Sequence, residues 1–539
     1  MGRLQNAVAR ANSKVSIQLA AGMLATSMIL SSLLGLYRER LLNRHYLDDY
    51  QLAIDAYTIA FSVPDFMYII LVSGALSVTF IPVFNQRLTA GNKKSAWQLS
   101  TSLINFMALT TFVASILIII FAAQLVNLVA PGLDESGRNL ATSMMRVVAV
   151  NPFLFAVSTV IASMQQAIGR YTFYALAPML YNIGIIIGII FFTEGITLFG
   201  WRVFDGGIMG VALGVVLGAI LQLLVSSIGL IGLGFDYRFK IYHKNKGFRQ
   251  VLQLLPPRAL DQGADYVTSF VEMNLASRMV DGTIRAYQQA SMLHLMPINL
   301  IGVSISTAAY PQLTARLAQG RQDLFKRDLQ RIMRVIIWLV LPIATITFFA
   351  RGYVVNFAVE GGYPLIAGLL GILVIGIVFR SVYHIAARSF YAEQDTRTPL
   401  YVSIFAIILN IVLAIWFVTK LDSGVYGLAW ASIFASIAEV VVLFFIMSRR
   451  IPGIFDNIFL HAIARMASAT GFMAVITYMN VRALPLTSND AALVPTLAKF
   501  LMITVISFGA YIVFCWLLRL SEVNPIIKRA QKILFSQAS

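Results

Sequence analysis

Fourteen stretches of mostly apolar residues follow one another from residue 15 to residue 520. Each reaches about 20 residues, enough to cross roughly 30 Å of hydrocarbon at ~1.5 Å per residue. Lipid offers no hydrogen-bond partner to a backbone amide or carbonyl, so runs of this length must satisfy their own polar groups as helices. The expected fold class is therefore all-α: a polytopic membrane protein with about fourteen transmembrane helices. Hydrophobic residues make up 58% of the chain against 12% charged, with a mean hydropathy of +0.78, which excludes an ordinary soluble domain. The first run, near 15–37, follows Arg3, Arg10 and Lys14. It is too long for a signal-peptide core and leads directly into charged sequence, so it is expected to remain as a span.

Two short patterns each occur twice. Pro82-x4-Arg87-Leu88-x2-Gly91 returns 229 residues later as Pro311-x4-Arg316-Leu317-x2-Gly320. Asp205-x-Gly207-x2-Gly210-x-Ala212 returns 217 residues later as Asp422-x-Gly424-x2-Gly427-x-Ala429. The first pattern closes the second (57–84) and eighth (286–312) runs, and the other opens the sixth (206–232) and twelfth (425–448). A repeat of six spans keeps its orientation, so two six-helix lobes related by a parallel repeat are expected, with two further C-terminal helices. The boundaries are an N-lobe at 1–235, a basic linker at 236–250, a C-lobe at 251–450, and the last two spans with a basic tail at 451–539. Gly206, Gly207 and Gly210 follow no strand and precede no Lys-Ser or Lys-Thr, so they read as helix-packing positions rather than a nucleotide loop.

A net charge of +17 raises the question of nucleic acid, but the basic residues do not gather on one soluble surface. With the N-terminus in the cytoplasm, the cytoplasmic segments hold 27 Lys and Arg against 11 on the external ones. This is the positive-inside pattern of a multi-pass membrane protein with both termini cytoplasmic that binds no nucleic acid. The single cysteine, Cys515, excludes an intramolecular disulfide and a cysteine metal cluster. Five dispersed histidines and the absence of Gly-x-Ser-x-Gly or a Walker lysine leave no catalytic or metal constellation. A transporter without cofactor follows, coupled to the membrane potential or to a monovalent ion gradient.

Ionisable residues inside a span cost roughly 2.5–3.5 kcal/mol even on lenient scales and so mark function. In the seventh run, Arg258, Asp261, Asp265, Thr268 and Glu272 are spaced 3, 4, 3 and 4, one face of a helix about 21 Å long. The stripe suits a water-filled cavity; pairing of Arg258 with Asp261 or Asp265 to hold the helix is compatible with it. Arg380, His384 and Arg388 form a shorter basic stripe in the tenth run. In the first run Ser27, Ser31 and Arg38 share a face, with Glu39 beside the arginine and Asp55 opening the next helix. At the outer end of its run, Arg38 also suits an interfacial position.

The stretch Arg388-Ser-Phe-Tyr-Ala-Glu-Gln-Asp395-Thr-Arg-Thr-Pro399 resembles the R-x-F-Y-A-x-x-D-T-x-T-P signature of the MurJ (MviN) lipid II flippase family, within the multidrug, oligosaccharidyl-lipid and polysaccharide (MOP) exporter superfamily. Leu34-Gly-x-x-Arg38-Glu39, Asp55-Ala56, Val63-Pro64-Asp65, Ser73-Gly-Ala-Leu-Ser77, Ala130-Pro131-Gly132 and Ala177-Pro178-x3-Asn182 are similar to further family pieces. The resemblance runs from about residue 15 to 520. It implies alternating access. A cavity takes the pyrophosphate and sugar headgroup of lipid II, an undecaprenyl-pyrophosphate-linked disaccharide peptide, from the cytoplasmic leaflet and releases it outside.

On that reading Arg38, Glu39, Asp55, Arg258, Asp261, Asp265, Glu272 and Arg380 are the expected cavity residues. Pro82, Pro311, Arg388, Asp395 and Pro399 belong to gating or structural motifs. The partners are lipid II, membrane lipids and the peptidoglycan synthesis machinery. Three family arginines are absent: their places hold Ser32, Tyr68 and Met292. Either Arg258 and Arg380 replace them or the headgroup differs. An exporter of another polyprenyl-linked oligosaccharide and a drug or cation antiporter of the same superfamily remain alternatives.

Overall fold

Because lipid leaves the backbone only itself to bond to, the apolar runs are built of helix. The computed structural model describes residues 17–47, 50–73, 80–198, 201–487 and 492–524. Among these, 12 segments are long and apolar enough to cross a membrane. Helices of 30 and 31 residues stand at the positions of the first and seventh predicted spans. The fold is the all-α polytopic one that hydropathy predicts. By contacts the chain divides into two units, Met1–Arg285 and Ala286–Ser539.

The first unit runs through α1 (Ile17–Tyr46), α2 (Gln51–Tyr68), α3 (Ile81–Thr89), α4 (Lys93–Val129), α5 (Glu135–Val148), α6 (Asn151–Ile168), α7 (Thr172–Ile187), α8 (Ile208–Ile228) and α9 (Lys246–Ala276). A two-stranded antiparallel hairpin, Ile196–Leu198 with Trp201–Phe204, precedes α8, so Gly206 and Gly207 do follow a strand, contrary to the sequence expectation. Polar caps set several of the starts. Asn92 accepts from Ser95 N at the head of α4, and Asp134 from Gly137 N at the head of α5. The fourth predicted span is two helices rather than one, since Pro152 lacks the amide that would continue the ladder through Val148.

Glycines permit the closest approach. A Cβ on Gly184 would lie 2.3 Å from the Gly218 Cα, and one on Gly188 would lie 2.4 Å from the Gly214 Cα. Small residues four apart, on α7 with the π-helical turn Gly188–Phe192 that continues it and on α8, therefore pack backbone to backbone, as in membrane helix pairs generally. Gly210 belongs to the same seam, 2.4 Å from Phe192 by that measure, which bears out the packing role expected for it, whereas Gly207 has nothing within 4 Å of an added Cβ and is instead a left-handed turn residue with a φ of +66°. The core of this unit gathers Phe80, Phe84, Leu99, Leu103, Met107, Met164 and Phe248.

The second unit contains most of α10 (Thr283–Pro297), then α11 (Ser304–Ala318), α12 (Gln322–Phe349), α13 (Arg351–Ala358), α14 (Pro364–Ala392), α15 (Arg397–Thr419), α16 (Gly424–Arg450), α17 (Asn457–Ala483) and α18 (Leu493–Leu517). Trp338, Tyr353, Met466, Met473, Tyr511 and buried Cys515 form one of its cores. The indole N–H of Trp338 donates to Cys515 Sγ at 3.3 Å.

The repeated sequence pattern has the same local geometry both times. The Asn92 amide bonds the Arg87 carbonyl at 3.0 Å, and the Arg321 amide bonds the Arg316 carbonyl at 3.0 Å. Gly91 and Gly320, with φ of +74° and +69°, supply the left-handed residue that such a helix end requires. Upstream, a π-helical turn begins at Ile69 in one unit and at Ile298 in the other, again 229 residues apart.

Candidate functional site

Adjacent residues on a helix point about 100° apart, so Arg38 and Glu39 of α1 address different neighbours. Arg38 turns toward α7: its Nη1 donates to Asn182 Oδ1 at 3.0 Å, while Nη2 reaches Glu39 Oε1 at 2.5 Å. The Asn182 amide in turn donates to the Ser31 carbonyl and hydroxyl, and the Ser27 hydroxyl donates to the Ala175 carbonyl. The face shared by Ser27, Ser31 and Arg38 is thus a contact between α1 and α7. The Asn182 of the Ala-Pro-x3-Asn motif is what it grips.

Glu39 faces the head of α10. Its second oxygen accepts from Arg285 Nη2, and Asn43, one turn further along α1, accepts from Arg285 Nε at 3.3 Å and Nη2 at 3.2 Å. Asp55 completes the group from α2. One carboxylate oxygen accepts from the Gly282 amide at 2.7 Å and the other from the Arg285 amide at 2.8 Å. Asp55 therefore caps the first turn of α10 from another helix, satisfying orphan amides and lying at the positive end of the helix dipole.

Glu39, Asn43, Asp55 and Arg285 are all buried, with the last 4% exposed. A buried charge is tolerated only when paired and hydrogen-bonded. Here Glu39 pairs with both Arg38 and Arg285, and the Asp55 carboxylate is held by backbone amides. The arrangement locks α1, α2, α7 and the start of α10 together, through charge-assisted and capping bonds at Glu39, Asp55 and Arg285 and through neutral ones between α1 and α7.

Three of the expected cavity residues, Arg38, Glu39 and Asp55, are brought together in this way. Arg258, Asp261, Asp265 and Glu272 lie on α9. The side chains of Arg258, Asp261 and Asp265 fall outside the described residues; Glu272 is half-buried. Gly132 of the Ala-Pro-Gly motif explains its own identity at the far end of α9: its amide donates to Ser277 Oγ at 3.1 Å, and a Cβ there would lie 2.3 Å from the Ser277 carbonyl oxygen.

Arg380 belongs to the second unit, where its Nε donates to Ser436 Oγ at 3.0 Å on α16. Arg388 donates to Thr307 Oγ1 at 2.8 Å on α11. Asp395 caps α15, accepting from the amides of Arg397 and Thr398, both at 3.0 Å, and from the Thr398 hydroxyl at 2.6 Å. It also pairs with Arg450 at 2.6 Å, whose guanidinium lies over the Phe390 ring and reaches Glu393. The Thr398 hydroxyl and amide, then Arg450, hold the Asp395 carboxyl well below the usual carboxylate range. The signature stretch 388–399 is therefore a stapled turn between two helices. Pro399 is buried in the first turn of α15; Pro82 sits in the first turn of α3, and Pro311 lies inside α11.

Arg285, Asn43 and Arg450 are the residues that sequence reading missed. Arg285 stands just outside the eighth apolar run and reads as an interfacial loop arginine. The available signal was indirect: the acids Glu39 and Asp55 beside apolar runs require a cation or capped amides, and nothing in a linear pattern says from where.

Comparison with known proteins follows the same outline. A family model described as Lipid II flippase MurJ matches residues 50–487. A probable lipid II flippase MurJ of Thermotoga maritima is 23% identical over 505 residues, covering 93% of this chain and 96% of that protein. One from Buchnera aphidicola subsp. Schizaphis graminum is 26% identical over 392 residues, covering 71% and 74%. Among solved structures, a lipid II flippase MurJ in an inward closed conformation superposes with a TM-score of 0.72 at 23% identity, covering 91% of this chain and 97% of that one. An inward-facing multidrug resistance transporter of the MATE family and MOP superfamily gives 0.66 at 16% identity, covering 81% and 99%. These likenesses show the fold.

Proposed function

Because the chain belongs to the Lipid II flippase MurJ family, we propose that it moves lipid II from the cytoplasmic to the outer leaflet of the bacterial inner membrane by alternating access. The family match across residues 50–487 carries this reading. The reaction is translocation: no covalent bond forms or breaks. A pyrophosphate headgroup needs cations and hydrogen-bond donors wherever it is held away from water, and arginine serves best because its fork matches phosphate oxygens. Arg258 and Arg380 take that role, with Asp261, Asp265 and Glu272 keeping the path hydrated.

In the orientation that the positive-inside pattern favours, with both termini cytoplasmic, the Arg38, Glu39, Asp55 and Arg285 group lies toward the outer surface. There it serves as a closing contact, since charge-assisted bonds can exchange partners without loss of packing. An inside-negative potential favours outward movement of an anionic headgroup by about 2.3 kcal/mol per net charge per 100 mV. The potential, or a monovalent ion gradient, supplies direction without ATP. The peptidoglycan synthesis machinery is the consumer of the product.

The test is to deplete the resident lipid II flippase of a bacterium and express this chain. Restored growth together with lipid II exposed on the outer surface is the expected result. Failure of both, with membrane insertion confirmed, would count against the reading. Rescue only of a strain lacking an exporter of another polyprenyl-linked oligosaccharide would redirect it.

A further inference from the structure

The first unit carries a strongly basic cavity that the transport reading does not use. Its volume is about 1030 Å³, and its walls include Arg87, Lys94, Lys240, His243, Lys244 and Lys246. No acidic residue lines it among the described residues. The helices α4 and α9 both begin at this cavity, capped by Asn92 and Asn245, so two positive dipole ends add to the side-chain charge. Arg87 is packed over Gly247, where a Cβ would lie 2.4 Å from its guanidinium carbon, which fixes its position in the wall.

A second cavity of about 540 Å³ lies further along α4, and it is apolar. Ala108, Phe153, Val157, Ile161, Phe235 and Phe239 line it. The two cavities share α4 and the 230–246 loop: Gln98 lines the first and Ile104 the second, about 9 Å apart along the helix axis. The loop that separates them is held in place. Asn105 donates to the Arg238 carbonyl at 2.8 Å and the Lys240 carbonyl at 3.1 Å, Tyr237 donates to Asn105 Oδ1 at 2.6 Å, and the Tyr242 amide donates to Ser102 Oγ at 2.8 Å. Beyond the groove α4 presents exposed Leu109, Phe112, Val113 and Ile116, a surface suited to lipid. Phe239, between Arg238 and Lys240, is 93% exposed.

We propose that this pair of cavities holds one anionic phospholipid of the cytoplasmic leaflet, with its phosphate headgroup in the basic cavity and an acyl chain along the apolar groove. The charge of one cavity, the apolarity of the other and their spacing on one helix fit an amphiphile with a phosphate at one end. A soluble phosphate would leave the groove empty. The transported lipid is the weaker candidate, because every lining residue belongs to the first unit and the groove adjoins the exposed apolar surface of α4. Basic clusters beside the cytoplasmic ends of spans bind acidic lipid by the same physics. The proposal uses the membrane orientation given above and is independent of the transported substrate.

The probe is the purified full chain in nanodiscs of phosphatidylcholine with added phosphatidylglycerol, and native mass spectrometry reads the lipid that stays bound on release. The wild type should retain phosphatidylglycerol in preference to phosphatidylcholine. The triple variant Lys94→Gln, Lys240→Gln and Lys244→Gln should retain it on the order of tenfold less or weaker still. Ala108→Trp, which fills the groove, should lose it too. All three lysines are exposed, so their variant should fold even if Ala108→Trp does not, and the lysine result then decides. Equal retention by the lysine variant overturns the proposal. So does displacement of phosphatidylglycerol by inorganic pyrophosphate with Ala108→Trp unaffected, which would mark a free phosphate site. One-for-one displacement by an undecaprenyl diphosphate would assign the site to the transported lipid and overturn it likewise.

Discussion

Arg285 and Glu39 are 246 residues apart in the chain and form a buried ion pair that joins the head of α10 to the end of α1. Neither residue is tolerable alone in that position. Removing one partner of a buried pair strands the other, a loss of about 3–5 kcal/mol. Arg285→Gln should lower the melting temperature of the purified protein sharply, and Glu39→Gln should do the same. The double variant Glu39→Gln with Arg285→Gln should cost clearly less than the sum of the singles, since the Arg285 charge no longer lacks its carboxylate and only Arg38 loses a partner. Additive losses in a double-mutant cycle would show that the pair is not coupled.

Asp55 acts through two backbone amides rather than through a cation. Asp55→Asn keeps one acceptor oxygen, whereas Asp55→Ala leaves the Gly282 and Arg285 amides without their side-chain acceptor. Loss of a cap is worth about 1 kcal/mol, up to ~2. Asp55→Ala should therefore destabilise more than Asp55→Asn, read by thermal melts in detergent. If the two variants melt alike, capping is not what the carboxylate contributes.

For transport, Arg38→Ala and Arg258→Ala should each abolish rescue of a flippase-depleted strain while expression stays normal. Rescue by both variants would remove these arginines from the translocation path.

The seam between α7 and α8 has no room for a side chain. Gly214→Val would drive a branched side chain into the Gly188 backbone, where even a Cβ lies 2.5 Å away. Ordinary overpacking costs about 1–3 kcal/mol, and backbone against backbone cannot relax as side chains do. The variant should fail to elute as a monodisperse species. Gly471→Ala is the matched control, because nothing lies within 4 Å of its added methyl, and it should behave as wild type.

Asp395 has a definite pH signature. Its folded-state pKa is depressed, so its contribution is present above the unfolded value of about 3.9 and is lost as pH falls through the lower folded one. Asp395→Asn should melt below the wild type at neutral pH, and the gap should close in acid below about pH 4. Because the Asp395 side chain is only partly covered, the gap should be small. A gap that persists unchanged into strong acid would exclude ionisation of Asp395 as its source.

Much of the fold is legible because its cause is local. Each apolar run had to be a helix in lipid, and the pattern Arg87-Leu88-x2-Gly91 had to end one, since it holds its own left-handed glycine and its own capping bond. Gly210 could likewise be read as a packing residue from its small size. The candidate site is legible only in part. Arg38, Glu39 and Asp55 stand out because charge beside an apolar run is costly, but their partners do not. Arg285 looks like a loop residue, and Asn182 looks like a motif position with no stated purpose.

Sequence alone determined the solvent, the helical class and the places where charge must be explained, because hydropathy and helix-end chemistry act over a few neighbouring residues. Only the tertiary structure decided which charges meet. It turned the Ser27, Ser31 and Arg38 face against α7, gave Asp55 a helix to cap 227 residues away, and paired Glu39 with Arg285. The reason is physical: a buried charge requires some partner, but helix packing alone sets which residue comes within hydrogen-bond reach.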